Sequence, residues 1–248
     1  MIFGERKTIP LVGISEPKKI LMDGLFHYLG GVPEWLPEYD SIAEWVADNK
    51  RRGLLAVGDT GRGKTRLCMD VIPDILQDTG LECFRVSSYA MSRNFDEMLQ
   101  AKVLMIDDVG VEDKASFYGE RRDLFMEIVD HSERNGVLLI VTTNMTLDEL
   151  RQRYGNRVID RLRQIVLPVV FKGESLRGKV LKDPFYAYGL NFYSEKECED
   201  FCRMQEDIGK GLSDGIYKPY DSSVLKSNEY GEPLIVRDNI VYLYREQQ

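Results

Sequence analysis

Short apolar runs separated by stretches of helical spacing set the reading of this chain. Leu54-Leu55-Ala56-Val57, Val103-Leu104-Met105-Ile106 and Val137 to Val141 are apolar at consecutive positions, the pattern of strands covered on both faces. Glu82 to Val86 reads as a further strand, and Ile165 to Phe171 as a fifth. Pro168 inside that last run cannot donate to a ladder, so an edge position is expected. Between the strands, Ile42, Trp45 and Val46 share one face of a helix over Ile42 to Asn49, capped by Asp40-Ser41. Leu67, Met69, Val71 and Ile72 continue a second helix, which Pro73 should kink or shorten. Leu124, Phe125, Ile128 and Val129 mark a helix over Glu120 to Asn135 that stops at Asn135-Gly136. Thr146-Leu147-Asp148-Glu149 has the form of a capping box, opening a helix that stops near Gly155 and is followed by a short one over Val158 to Gln164. Residues 1 to 40, broken by Gly30-Gly31-Val32-Pro33 and Leu36-Pro37, predict loops with short helical pieces. Strands alternating with helices give an α/β fold whose parallel sheet is covered on both sides.

Composition narrows this little. With 248 residues, 43% hydrophobic and 30% charged, the chain is globular, with room for one main core and an appendage. No apolar run approaches the roughly 18 residues of a membrane span, and Met1 to Lys7 lacks a secretory pattern, so a cytoplasmic location and no membrane partner are expected. The four cysteines then read as reduced thiols. A net charge of −8 leaves room for one local basic region, from Arg151 to Lys179.

The chemistry lies where the strands end. Gly58-Asp59-Thr60-Gly61-Arg62-Gly63-Lys64-Thr65 follows the first strand and fits the phosphate-cradle spacing GxxxxGK[ST]. Glycines let the loop turn its N–H groups toward an anion, and the next helix adds its positive end. Lys64 would reach the β and γ phosphates of a nucleoside triphosphate, and Thr65 would offer its hydroxyl to magnesium. Asp107, at the end of the third strand, suits that same metal, directly or through water. Asp108 would orient the attacking water, although it is a methylene shorter than Glu, so slow turnover is expected. Thr143 and Asn144, after the fourth strand, would bond the γ phosphate or the water. Arg157 and Arg161, four apart on one helix face, suit an arginine offered to a nucleotide in cis or across a subunit boundary. Each feature has a plainer reading: a glycine-rich turn, a loop capped by acids, a solvated helix face. Parallel sheets bind ligands at their carboxyl ends, and that rule brings the cradle, the acidic pair and Thr143-Asn144 to one crevice.

Gly58 to Thr65, Ile106-Asp107-Asp108-Val109-Gly110, Val141-Thr142-Thr143-Asn144, Gly155 to Leu162 and Phe171-Lys172-Gly173-Glu174-Ser175-Leu176-Arg177 together resemble the DnaC/DnaI helicase loaders and the related IstB transposition ATPases, which are AAA+ proteins. The resemblance covers roughly residues 40 to 180. It implies a P-loop AAA+ fold with a five-stranded parallel sheet, ATP and Mg2+ as ligands, Thr143-Asn144 as γ-phosphate sensor, Arg157 or Arg161 as the finger reaching a neighbour's ATP, and Arg177 as second sensor. It also implies a nucleotide-dependent homo-oligomer acting on a replicative helicase or a transposase, with single-stranded DNA. The domains expected are an arm over 1–40, the ATPase over 41–180 and a small α+β extension over 181–248. In that extension Ser194 to Ile208 reads as a helix anchored by Phe201, and Pro233 to Val236 with Ile240 to Tyr244 as a β-hairpin. Three other functions remain open: a nucleotide-controlled protein-binding switch with little turnover, a P-loop kinase or nucleotide-metabolism enzyme, and a structural protein with a vestigial cradle.

Overall fold

A computed structural model describes residues 8–11, 13–112, 115–117, 120–187, 190–213, 217–218 and 244–245. The chain divides into two compact units, Met1–Lys182 and Asp183–Gln248.

The first unit opens with α1 (Pro17–Leu29) and α2 (Pro37–Ala47). Both carry proline in the first turn, where an N–H has no helical partner to lose. Two expectations are corrected here. Residues 1 to 40 hold a 13-residue helix rather than short pieces, and Leu36-Pro37 starts α2 instead of breaking the chain ahead of an Asp40-Ser41 cap. Strand β1 (Gly53–Gly58) then leads through the cradle into a π-helical stretch, Arg66–Val71, continued by α3 (Ile72–Asp78). Pro73 explains the wider turn: its ring crowds the carbonyl four residues back, and its nitrogen has no proton for it. That carbonyl, of Met69, accepts instead from Arg85 Nη1 at 2.9 Å. The helix changes pitch and goes on.

Next come β2 (Cys83–Ser87), α4 (Phe95–Gln100), β3 (Val103–Asp107), the short antiparallel pair β4 (Ala115–Phe117) and β5 (Glu120–Arg122), and α5 (Leu124–Asn135). The helix expected from Glu120 therefore begins four residues later, where the Asp123 carboxylate accepts from Met126 N. Strand β6 (Leu138–Thr143), α6 (Leu147–Tyr154), α7 (Asn156–Ile165) and β7 (Val166–Phe171) complete the unit. The Thr146–Glu149 capping box is formed, each side chain meeting the other's backbone N–H.

The five long strands form one parallel sheet in the order β2-β3-β6-β1-β7. Pro168 sits on β7, at the edge, opposite Leu55. Alternation along the strands sorts two cores. Leu54, Ala56, Val103, Met105, Leu138 and Ile140 pack with α1, α2 and the helix after the cradle. Leu55, Val57, Leu104, Ile106, Leu139 and Val141 pack with α5, α6 and α7. Both faces are thus dry, as the unbroken apolar runs require.

The second unit contains the antiparallel pair β8 (Phe185–Ala187) and β9 (Leu190–Phe192), the helix α8 (Glu195–Ser213), and the pair β10 (Tyr217–Lys218) with β11 (Tyr244–Arg245). The Phe192 and Phe201 rings stand 5.1 Å apart. The hairpin expected over 233–244 lies, except for its last residue, outside the described residues. No helix among the described residues is long and apolar enough to cross a membrane.

Candidate nucleotide site

The loop after β1 folds as its glycines allow: Gly58, Gly61 and Gly63 have φ of 114°, 74° and 88°, left-handed values that side chains resist. Gly61 is also a close approach, since a Cβ there would lie 2.0 Å from Ser175 Oγ. The turn after β7 rests directly on the cradle. Asp59 N donates to Phe171 O at 2.9 Å, Gly173 N to Asp59 Oδ2 at 2.8 Å, and Leu176 N to Gly61 O at 2.8 Å.

Lys64 lies inside this loop. Its Nζ donates to Gly58 O at 2.8 Å, Asp59 O at 2.6 Å and Asn144 Oδ1 at 3.0 Å. Burial holds its pKa below the ordinary lysine value, with Asp108 and Asp59 pulling the other way. The Asn144 amide nitrogen donates in turn to Asp108 Oδ1 at 2.6 Å, so ammonium, amide and carboxylate form one chain across the sheet's carboxyl edge. Asp108 has φ of 57°, a left-handed conformation that Asp tolerates better than most residues. A second chain runs beside it: Thr65 Oγ1 donates to Asp107 Oδ1 at 3.0 Å, and Thr142 Oγ1 donates to that same oxygen at 2.5 Å. A threonine hydroxyl next to a carboxylate is a pair of hard oxygen donors, which fits Mg2+ completed by phosphate oxygens and water. Thr60 and Arg177 are exposed at the same end, and the Arg177 guanidinium has no ion-pair partner among the described residues.

Three expected roles change. Thr143 is wholly buried, donates to Val109 O at 2.5 Å and accepts from Met145 N at 3.0 Å, so it ties two loops together instead of facing a phosphate. The reason is strand parity. Neighbouring side chains point to opposite faces, so the hydroxyl near the cradle belongs to Thr142, which the sequence reading passed over. Arg62, counted with the phosphate ligands, is buried and turned away into an ion pair with Glu38. Arg161 is held by Asp130 and Glu133 of α5, its Nε standing 3.3 Å from Glu133 Oε2. Arg157 is exposed, with no ion-pair partner among the described residues. The two arginines are therefore not equivalent.

Other residues of the site were not foreseen. Ser88 Oγ donates to Asp108 O at 2.8 Å, and Glu112 accepts from Gly110 N at 2.7 Å and from the buried Tyr154 hydroxyl. Burial, with that bond to Glu112, pushes the Tyr154 phenol well above its ordinary pKa. Counting along the strand separates Thr142 from Thr143 but does not say which of the two faces the cradle; Glu112 carried no signal, because its partner lies on a helix 42 residues away.

No family model matches the chain. Over 176 residues it is 25% identical to the replicative helicase loader DnaC of Escherichia coli K12, a match spanning 66% of this chain and 69% of that protein. The DnaC of Shigella flexneri matches equally. In sequence, then, the chain is similar to the DnaC helicase loaders. Among solved structures, DnaI aligns over 66% of this chain and 95% of its own length, with a TM-score of 0.49 and 21% identity. The DnaC helicase loader aligns over 64% and 92%, with a TM-score of 0.40 and 21% identity. The five-stranded parallel sheet, its flanking helices and the GxxxxGK[ST] loop after β1 make this an α/β fold of P-loop form.

Proposed function

We propose that this chain binds ATP with Mg2+ in the 58–65 loop, hydrolyses it slowly, and acts in the cytoplasm as a nucleotide-dependent oligomer that loads a replicative helicase onto single-stranded DNA. The observation that carries the ATP reading is the chain from Lys64 through Asn144 to Asp108, with the Thr65–Asp107 pair beside it. Loading rests on the DnaC relatives. In this reading the loop N–H groups and Lys64 hold the phosphates, and Asn144 turns to the γ phosphate. Asp108, freed from Asn144, orients a water for in-line attack. Thr65 and Asp107 would hold Mg2+, whose charge would offset the negative charge of the phosphates. Arg157, open where Arg161 is locked, is the finger offered to a neighbour's ATP, and Arg177 contacts the nucleotide bound by its own subunit.

The test is ATP binding and hydrolysis, with and without single-stranded DNA. Asp108→Asn is expected to keep nucleotide affinity and lose turnover; a variant that hydrolyses ATP at the normal rate removes Asp108 from the mechanism. A second reading has its own support. Asn144 occupies an oxygen of an already short acid, which suits a nucleotide-controlled switch with little turnover. Tight ATP binding without hydrolysis in either condition favours that switch.

A further inference from the structure

The cradle contains a charge that its phosphate chemistry does not use. Arg62 is 8% exposed, and its guanidinium meets Glu38, from the first turn of α2: Nε donates at 2.7 Å and Nη2 at 2.6 Å, both to Oε1. The third donor, Nη1, reaches Glu174 O at 3.3 Å. A buried guanidinium is tolerated only when its donors are met and its charge is balanced. The backbone of the same residue is held from the same helix turn, since Tyr39 donates its hydroxyl to Arg62 O at 3.0 Å. Burial pushes that phenol up to about 12, so it stays a donor. Space is tight on both sides: a Cβ on Gly63 would lie 2.5 Å from Tyr39 Oη, and one on Gly173 would lie 2.8 Å from Arg62 Nη1. The tip of the loop is therefore fixed between α2 and the turn after β7.

We infer that Glu38 is a positioning residue for the nucleotide: through Arg62 it holds the 59–64 backbone in the shape that presents its N–H groups to the phosphates. This rests on reading the 58–65 loop as a nucleotide cradle. Two guanidinium donors, Nε and Nη2, converge on one carboxylate oxygen while Nη1 reaches the Glu174 carbonyl, a planar set that a lysine ammonium does not reproduce. ATP and ADP should be affected alike, because the loop backbone faces phosphates that both possess.

The test compares Glu38→Gln and Arg62→Lys with the unaltered chain. Without nucleotide, amide exchange in a peptide over 59–65 is expected to quicken while peptides from β3 and β6 keep their protection. The Kd for a fluorescent ATP analogue should rise about tenfold, the loss expected when a donor set is displaced. In hydrolysis, KM should rise with it while kcat at saturating ATP falls much less, because neither substitution alters Asp108 or Asn144. Unchanged exchange and Kd overturn the inference, and so does a uniform loss of protection with unchanged Kd, which marks a merely structural pair. Should Glu38→Gln fail to fold, the double variant Glu38→Met/Arg62→Met removes both charges at similar volume and should fold but bind ATP weakly; normal binding by it overturns the inference. An unaltered chain that folds yet binds no ATP refutes the nucleotide reading itself, and the exchange comparison still decides whether Glu38 shapes the loop.

Discussion

Thr142→Val separates the two neighbouring threonines whose roles sequence spacing cannot distinguish. The substitution keeps the side chain's shape and deletes one oxygen, which donates to Asp107 Oδ1 at 2.5 Å and accepts from Asp108 N at 2.9 Å. Losing a hydrogen bond to a carboxylate costs about 1.5–3 kcal/mol, and an N–H left without its acceptor adds about 1–3 where water is excluded. The added methyl returns about 0.8 kcal/mol. Asp107 and Asp108 are only half-buried, and water can reach part of what is lost, so the lower end applies. A net loss of about 2 kcal/mol should lower the Tm by about 4–8 °C for a unit of this size. Thr142→Ser, which restores the oxygen, should recover most of it. Thermal and urea unfolding give the stability; titrating Mg2+ against ATP hydrolysis gives the function. Thr142→Val should raise the Mg2+ concentration needed, because Asp107 loses one of the two hydroxyls that orient it. Thr143→Val also gives up two bonds, to Val109 O and from Met145 N, and should destabilise similarly without moving the Mg2+ requirement. Two results refute the reasoning: a Thr142→Val protein within about 0.5 kcal/mol of the unaltered one, which is the spread of neutral surface changes, or a Mg2+ shift in the Thr143 variant alone.

Three further expectations are independent. Lys64 has a folded pKa below its unfolded one, so between the two the unfolded chain binds the extra proton and the nucleotide-free protein gains stability as pH rises; Lys64→Met should flatten that slope in unfolding measured from neutral pH to about 10.5. It should also abolish ATP binding, and an unchanged affinity would count against the cradle. Arg161→Ala should lower stability by about 1–3 kcal/mol, between exposed and buried pairs, whereas Arg157→Ala should leave unfolding unchanged and reduce hydrolysis, recovered on mixing with Asp108→Asn subunits. Thr146→Ala opens the capping box and should cost about 1 kcal/mol in urea unfolding, with Thr146→Ser close to neutral.

What the sequence determined by itself was whatever local pattern dictates. Consecutive apolar residues gave the buried strands, Pro168 gave the edge, and GxxxxGK[ST] after a strand gave the cradle, because each depends on a few adjacent residues and the backbone geometry they permit. Helix starts were less legible. Pro37 can begin a helix or end one, and the outcome turns on whether the Glu38–Tyr39 turn has a partner, which here is Arg62, 24 residues further on. Only the tertiary structure decided which polar side chains face the crevice. Arg62 and Arg161 carry the same charge as Arg157, yet they are held by carboxylates from α2 and α5. Thr142 and Thr143 differ only in the face of β6 they occupy, and that face acquires meaning once one core packs against the cradle helix and the other against α5 to α7. A charge or hydroxyl is defined chemically by its residue, but its role is set by what packing brings within about 3 Å of it.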